Sequence, residues 1–217
     1  NLRLNQKDDW DWVSPERIDF NSEIPDAESS LPAVAIDKNG DAVAIWLKHD
    51  GQINNLWYSR FVGSWTQAGL VERNRLGDVS FPIITFSQDS RALVAWIQED
   101  KTNNQKQLVS TFFDVKTANG GWSKEKNVSS GPLLSKLAAS FDREGNAILI
   151  WQEGLSKAAI NASYYSALTA SWEAPVNLSD SGNDASVTPL YEDGRFLTVW
   201  EKEGNSNFKL NSALYSD

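Results

Sequence analysis

The sequence predicts an all-β protein: a β-propeller of four blades, each a four-stranded antiparallel sheet, with the ring closed by an N-terminal strand. Three observations lead there. A tryptophan-anchored block recurs without gaps at Trp46, Trp96, Trp151 and Trp200, about 50 residues apart, a period close to the range that marks propellers, solenoids and arrays. A second tryptophan opens a second block further along three of the copies, at Trp65, Trp122 and Trp172. That second block occurs once more, displaced, as WVSPERI from Trp12 to Ile18, ahead of the first complete repeat.

Within a copy, the first strand reads PAVAI, PIITF, LAASF or VTPL. Small residues such as Ala33, Ala35, Ala138, Ala139 and Ser140 suit a place where blades converge on a narrow axis. The turn that follows is KNGD, QDSR, REGN or EDGR. Its Asn, Asp and Gly supply the positive φ angles and local side-chain hydrogen bonds that a tight reversal needs. A second apolar run ends in the tryptophan, so the two runs form a hairpin. After a polar loop, LWYSRF, LVSTFF, INASYY or LNSALY gives a third strand rich in aromatics and hydroxyls. The block at the second tryptophan is short and amphipathic, and in two copies holds a proline, Pro15 or Pro175. Proline cannot donate to a ladder, so this block reads as an outermost edge strand.

One such sheet is not stable alone on a single apolar face, whereas radial stacking of several buries both faces. Apolar residues at helical spacing are missing from every window, and β-branched and aromatic residues fill the runs. A β-sandwich of hairpins is the alternative, but it does not demand a tryptophan at a fixed register. The expected organisation is one domain, 1–217, with repeats at about 31–72, 81–128, 136–178 and 186–217. Residues about 10–20 complete the last repeat as its fourth strand and lock the ring. A second arrangement is also open. NLRLN at 1–5 resembles NFKLN at 207–211, as in a stretch of a longer propeller, or a monomer's worth of a larger ring made by two chains.

Composition narrows the partners. The net charge is −9 with a pI near 4.7, and no Lys/Arg cluster of the kind that neutralises phosphates occurs, so nucleic acid and anionic membrane are poor partners. No run of about 18 apolar residues exists, which argues against membrane insertion by a helix. Without cysteine, structural disulfides, thiolate nucleophiles and Cys-ligated metals are out of reach. The sequence starts at Asn1 with no initiating methionine and no signal peptide, so a trimmed or processed chain is expected.

The block PAVAIDKNGDAVAIW at residues 32–46, and FDREGNAILIW ending at Trp151, resemble a repeat common in secreted or surface-associated bacterial propeller proteins. Its core resembles Pro-x-x-Ala-x-Asp-x-x-Gly-Asn-Ala-x-Ala-x-Trp, followed by a Trp-x-x-Pro strand. The resemblance implies the fold and a secreted, cell-surface or periplasmic location, and carries little activity. Sialidases are also propellers, with a Ser-x-Asp-x-Gly-x-x-Trp box; the longer interval here from Gly40 to Trp46 sets this chain apart.

Ligand sites on propellers gather on loops around one mouth of the axis. The loops after the first tryptophans carry an acid in every copy, and Asp50, Glu99, Asp100, Glu153 and Glu203 are the candidate rim residues for hydroxyl-rich ligands. Glycoside hydrolysis needs two carboxyl groups held apart at a set spacing; Glu99 and Glu153 are the pair to consider, although nothing marks them as unequal. The two tryptophans outside the repeat, Trp57 and Trp10, are the other binding candidates. Trp57 aligns with polar residues in two copies and is expected to be partly exposed, and exposed indoles suit sugar faces and protein hot spots. Packing against the N-terminal segment is the alternative. His49 is the lone histidine, without a nucleophile elbow, and reads as a turn residue. Asp37, Asn39 and Asp41 imitate the start of a calcium loop, but Lys48 stands where the bidentate Glu belongs. No metal and no cofactor is expected. The function this supports is a binding or scaffold propeller for a glycan or protein partner, with a carbohydrate-active hydrolase or a structural segment of a larger repeat protein as alternatives.

Overall fold

The computed structural model of the protein describes residues 13–20, 24, 27–116, 121–155, 158–190, 194–203 and 207–216. These residues form four antiparallel sheets in chain order. Sheet 1 holds β1 (Ser29–Ile36), β2 (Ala42–His49), β3 (Asn54–Phe61) and β4 (Gly69–Leu70). Sheet 2 holds β5 (Val79–Phe86), β6 (Arg91–Asp100), β7 (Gln105–Asp114), β8 (Gly121–Trp122) and β9 (Lys126–Gly131). Sheet 3 repeats that plan with β10 (Leu134–Phe141), β11 (Ala147–Glu153), β12 (Ala159–Ser166), β13 (Ser171–Trp172) and β14 (Val176–Ser179). Sheet 4 has β15 (Asn183–Leu190), β16 (Arg195–Glu203) and β17 (Phe208–Tyr215). The innermost strands touch one another in the order β1, β5, β10, β15.

The first hairpin turns form as their residues dictate. One carboxylate oxygen of Asp37 accepts the N–H groups of Asn39 (2.8 Å) and Asp41 (3.0 Å), and Gly40 takes φ 87°. Asp142 accepts from Glu144 and Asn146, both at 2.9 Å, with Gly145 at φ 82°. In sheet 2 the same reversal uses Ser87, whose hydroxyl accepts the N–H of Arg91 (3.2 Å), with Ser90 at φ 64°. Both oxygens of Asp37 are engaged inside its own turn, so the calcium-loop imitation is a hairpin cap.

Trp46, Trp96, Trp151 and Trp200 are all buried, as their fixed register predicts. Trp96 lies with Val94 and Ala92 against Val43, Ile45 and Leu47 of sheet 1. Trp151 and Leu149 meet Ala95, Ile97 and Leu108 of sheet 2. Trp200 and Phe196 meet Ile148 and Ile150 of sheet 3. The core is therefore a series of inter-sheet layers, each filled by one indole. Third-strand aromatics bridge the same gaps: Phe113 contacts Tyr58 and Trp122, and Tyr165 contacts Phe112 and Trp172.

Two expectations change. The outer block is not one continuous strand. In sheet 2 it splits into β8 and β9 because the Ser123 hydroxyl accepts the N–H of Phe112 (3.0 Å) and interrupts the ladder; in sheet 3, Pro175 lies in the gap between β13 and β14. In sheet 1 the ladder stops at Leu70, and the Glu72 carboxylate replaces a backbone acceptor for the N–H of Leu56 (2.8 Å). The second difference is at the N-terminus. Residues 13–20, the described part of the expected closing strand, belong to no strand; Ile18 and Ile24 instead pack on Trp46 and Trp57 of sheet 1. The Lys48 ammonium, wholly buried, donates to the Asp19 carbonyl (2.8 Å) and ties that segment down. Sheet 4 has three strands among the described residues, and β15 makes no contact with β1 comparable to those between consecutive inner strands. Trp12 and residues 1–5 lie outside the described residues.

Candidate functional site

Each innermost strand breaks register at the same point, between Ser30 and Ala33, Ser80 and Ile83, Ser135 and Leu137, and Asn183 and Ser186. An extra residue in one strand bends it and re-aims a side chain, which is how bulges serve sites at barrel and sheet rims. The bulged residue is in every case a non-glycine with left-handed backbone: Leu31 (φ 47°), Phe81 (φ 51°), Lys136 (φ 41°) and Asp184 (φ 47°). Such conformations cost about 1–3 kcal/mol each and persist where the surrounding structure imposes them. Pro32 and Pro82 follow two of the four, tolerated because a bulge needs no donor there.

The four bulges line one cavity of about 460 Å³ between the innermost strands. Its wall is divided. Leu31 and Phe81 present exposed apolar surface, flanked by Pro32 and Pro82. Lys136 and Asp184 supply its polar part: the Lys136 ammonium pairs with Asp184 Oδ1 (2.5 Å), and behind them Asn183 Oδ1 accepts from Lys136 (2.7 Å) while the Asn183 amide donates to Asp184 Oδ2 (3.1 Å). An aromatic and aliphatic surface together with one ion pair suits a ligand with one apolar face and several hydroxyls. Among the described residues, Asp184 is the one carboxylate on the cavity wall.

The residues expected to form the site lie elsewhere. Trp57, expected to be partly exposed, is buried with Trp46 under Ile18 and Ile24, because the N-terminal segment covers that face. Its indole N–H meets no acceptor among the described residues. Trp10 lies outside the described residues. Asp50 accepts the N–H groups of Gln52 (2.9 Å) and Ile53 (3.0 Å) and pairs with Arg75, so it shapes its own loop. Asp100 accepts from the Thr102 N–H (3.0 Å) and the Gln107 amide (3.3 Å). Glu153 accepts from the Asn161 amide (3.3 Å), and Glu99 stands opposite Lys106 in the ladder. Glu203 ends β16 opposite Phe208; its side chain is outside the described residues. Asp50, Glu99, Asp100 and Glu153 are not among the residues lining this cavity. His49 accepts the Gly51 N–H (3.0 Å) within its turn.

Sequence reasoning missed the bulge quartet because Leu, Phe, Lys and Asp share no chemistry. Their common property is position: each stands at nearly the same distance before its repeat tryptophan. It also missed Glu72. Burial pushes that carboxyl up from an ordinary 4.5 to about 8, and the nearby Glu125 charge adds to the rise against hydrogen bonds from backbone amides.

No protein-family profile matches this sequence, and no curated protein matches it. Solved structures do match in fold. The propeller domain of the trilobed protease from Pyrococcus furiosus is 8% identical over 88% of this chain and 55% of that one, with a TM-score of 0.54. A leech intramolecular trans-sialidase is 9% identical over 88% of this chain and 50% of its own, with a TM-score of 0.60. An α-L-arabinofuranosidase of Fusarium graminearum is 11% identical, covering 92% and 66%, with a TM-score of 0.57. The chain thus spans about half the length of the first structures it matches, 55%, 50% and 50%. At such identities the likeness establishes architecture alone, and it agrees with the four consecutively packed antiparallel sheets: this is an all-β chain of β-propeller type.

Proposed function

We propose that this chain is a carbohydrate-recognition propeller that holds a sugar at the inner-strand bulges without turning it over. The observation that carries the reading is the divided wall of the cavity there. Phe81 and Leu31 offer flat apolar surface to the C–H face of a pyranose or furanose ring, while Lys136 and Asp184 offer a donor and acceptors to its hydroxyls. Four left-handed non-glycine residues meet at this one cavity, and such conformations often mark ligand sites. Two of the fold matches were solved with sugars, the leech protein with 2,7-anhydro-Neu5Ac and the Fusarium protein with arabinobiose, which makes a saccharide the first ligand class to try. One wall carboxylate among the described residues, rather than a pair, favours binding over hydrolysis. A secreted or cell-surface location suits such a role, in keeping with the proteins whose repeat it resembles.

A glycan array probed with the purified chain tests the reading, followed by calorimetry on the strongest hit. Phe81→Ala is expected to weaken that binding about tenfold, the loss that an aromatic contact of about 1.4 kcal/mol implies. Lys136→Ala should weaken it comparably, while Asp100→Asn leaves it unchanged. Release of product from the bound glycan, abolished by Glu99→Gln or Glu153→Gln, would replace this reading with a hydrolase.

A further inference from the structure

The inter-sheet packing follows one rule, and the two ends of the array break it in complementary ways. In sheets 1–3 the residue just before the repeat tryptophan faces the next sheet, and Ile45, Ala95 and Ile150 are each 0% exposed. Its counterpart in sheet 4, Val199, is 41% exposed. Leu214, on the same face through its pairing with Leu197, is 49% exposed. Sheet 4 therefore presents, bare, the face that in every other sheet receives the following sheet's tryptophan. At the opposite end, Val34 and Ile36 share a face with Ala44 and Trp46 by register and are 66% and 64% exposed. The matching residues of sheet 2, Ile84 and Phe86, pack on sheet 1.

The N-terminal segment shows what the bare face of sheet 1 awaits. Val71, Val128 and Leu178 come from the outer region of one sheet and pack into the layer that holds the next sheet's tryptophan. Ile18 stands in the same relation to Trp46. Residues 13–20 thus lie where the outer strand of a preceding sheet would lie, and among the described residues no sheet is there. Among the described residues sheet 4 is the sheet without an outer strand, and its inner strand makes no contact with β1 of the same chain comparable to those between consecutive inner strands.

We propose that a second copy of the chain fills this place. Sheet 4 of each copy docks on sheet 1 of the other, with β17 alongside residues 13–20 of the partner copy, so that two head-to-tail contacts close one ring. The contact is the interior interface repeated a fourth time: Ile45 with Ile84, and Ile150 with Val187, share inter-sheet layers, and Val199 of one copy meets Val34 of the next by the same register. A heterologous contact of this kind ends in a ring when its rotation closes. The proposal does not depend on the ligand.

Sedimentation equilibrium of the full chain tests it. Twice the 24.2 kDa chain mass is expected, and Val199→Asp should return the protein to a monomer with an unchanged far-ultraviolet circular dichroism spectrum. Because the chain has no cysteine, Val34→Cys and Val199→Cys variants report the contact directly. Mixed and oxidised, the two single variants should give a disulfide-linked dimer that neither gives alone. A monomer at all concentrations overturns the proposal. So does a double variant that links only within one chain, which would mean closure of the ring by its own sheet 4.

Discussion

Trp151→Ala is expected to destabilise the protein by about 3–5 kcal/mol, the range for removing a large buried aromatic from a core that collapses only partly. The indole is 1% exposed and sits between sheets 2 and 3, against Ala95, Ile97, Leu108, Val128, Leu134 and Leu149. Both walls of that layer are held by ladders, β6 to β7 on one side and β10 to β11 on the other, so neither moves in to fill the void. The indole N–H has no partner among the described residues; the loss is therefore packing and transfer free energy, with no hydrogen bond to separate out. Urea unfolding of the variant against the parent measures it, and Trp151→Phe should cost less because part of the ring volume stays. An unchanged midpoint for Trp151→Ala would remove the inter-sheet indoles as the core of the fold.

The second large effect depends on pH. Glu72 is buried, one oxygen accepts the Leu56 N–H, and the other meets no partner among the described residues. Burial holds its folded pKa at about 8, above the ordinary 4.5. The folded chain therefore keeps a proton that the unfolded chain has already lost between pH 4.5 and 8. Wherever the folded state binds more protons, stability falls as pH rises. Its contribution is least unfavourable below pH 4.5, worsens through that window, and levels off above pH 8. At about 1.4 kcal/mol per pKa unit, the swing is on the order of 5 kcal/mol. Glu72→Gln keeps an acceptor for the Leu56 N–H and removes the titration. The variant should be more stable than the parent at pH 8 and should lose that part of the slope between pH 5 and 8. Equal slopes for the two proteins would show that Glu72 ionises normally.

These two residues mark how far the sequence could be read. Trp151 was legible because an indole at a fixed register recurs in every repeat, and period and register are properties of the chain itself. The hairpin turns were legible for a related reason: Asp37 and Asp142 cap their own turns through bonds spanning two to four residues. Glu72 was not, because its burial comes from the break in the sheet 1 ladder, which sets an ordinary-looking acid against the Leu56 N–H. Trp57 failed by the same mechanism in reverse. Its repeat position is polar in two other copies, but Ile18 and Ile24 cover it here. Of the rim acids, Asp50 and Asp100 are engaged by hydrogen bonds around their loops, which residue type alone does not record. The bulge quartet was hidden for the opposite reason. What Leu31, Phe81, Lys136 and Asp184 share is a backbone conformation, and side-chain identity does not record it.

The most direct measurement of the central claim, that the inner-strand bulges are where a ligand is held, is a backbone amide shift titration of the labelled protein with the saccharide that the array selects. The largest shifts are expected at Leu31, Phe81, Lys136, Asn183 and Asp184, spread over four sheets and meeting at one cavity. Shifts confined to the loops of Asp50, Asp100 and Glu153, with the bulge amides unmoved, would contradict it.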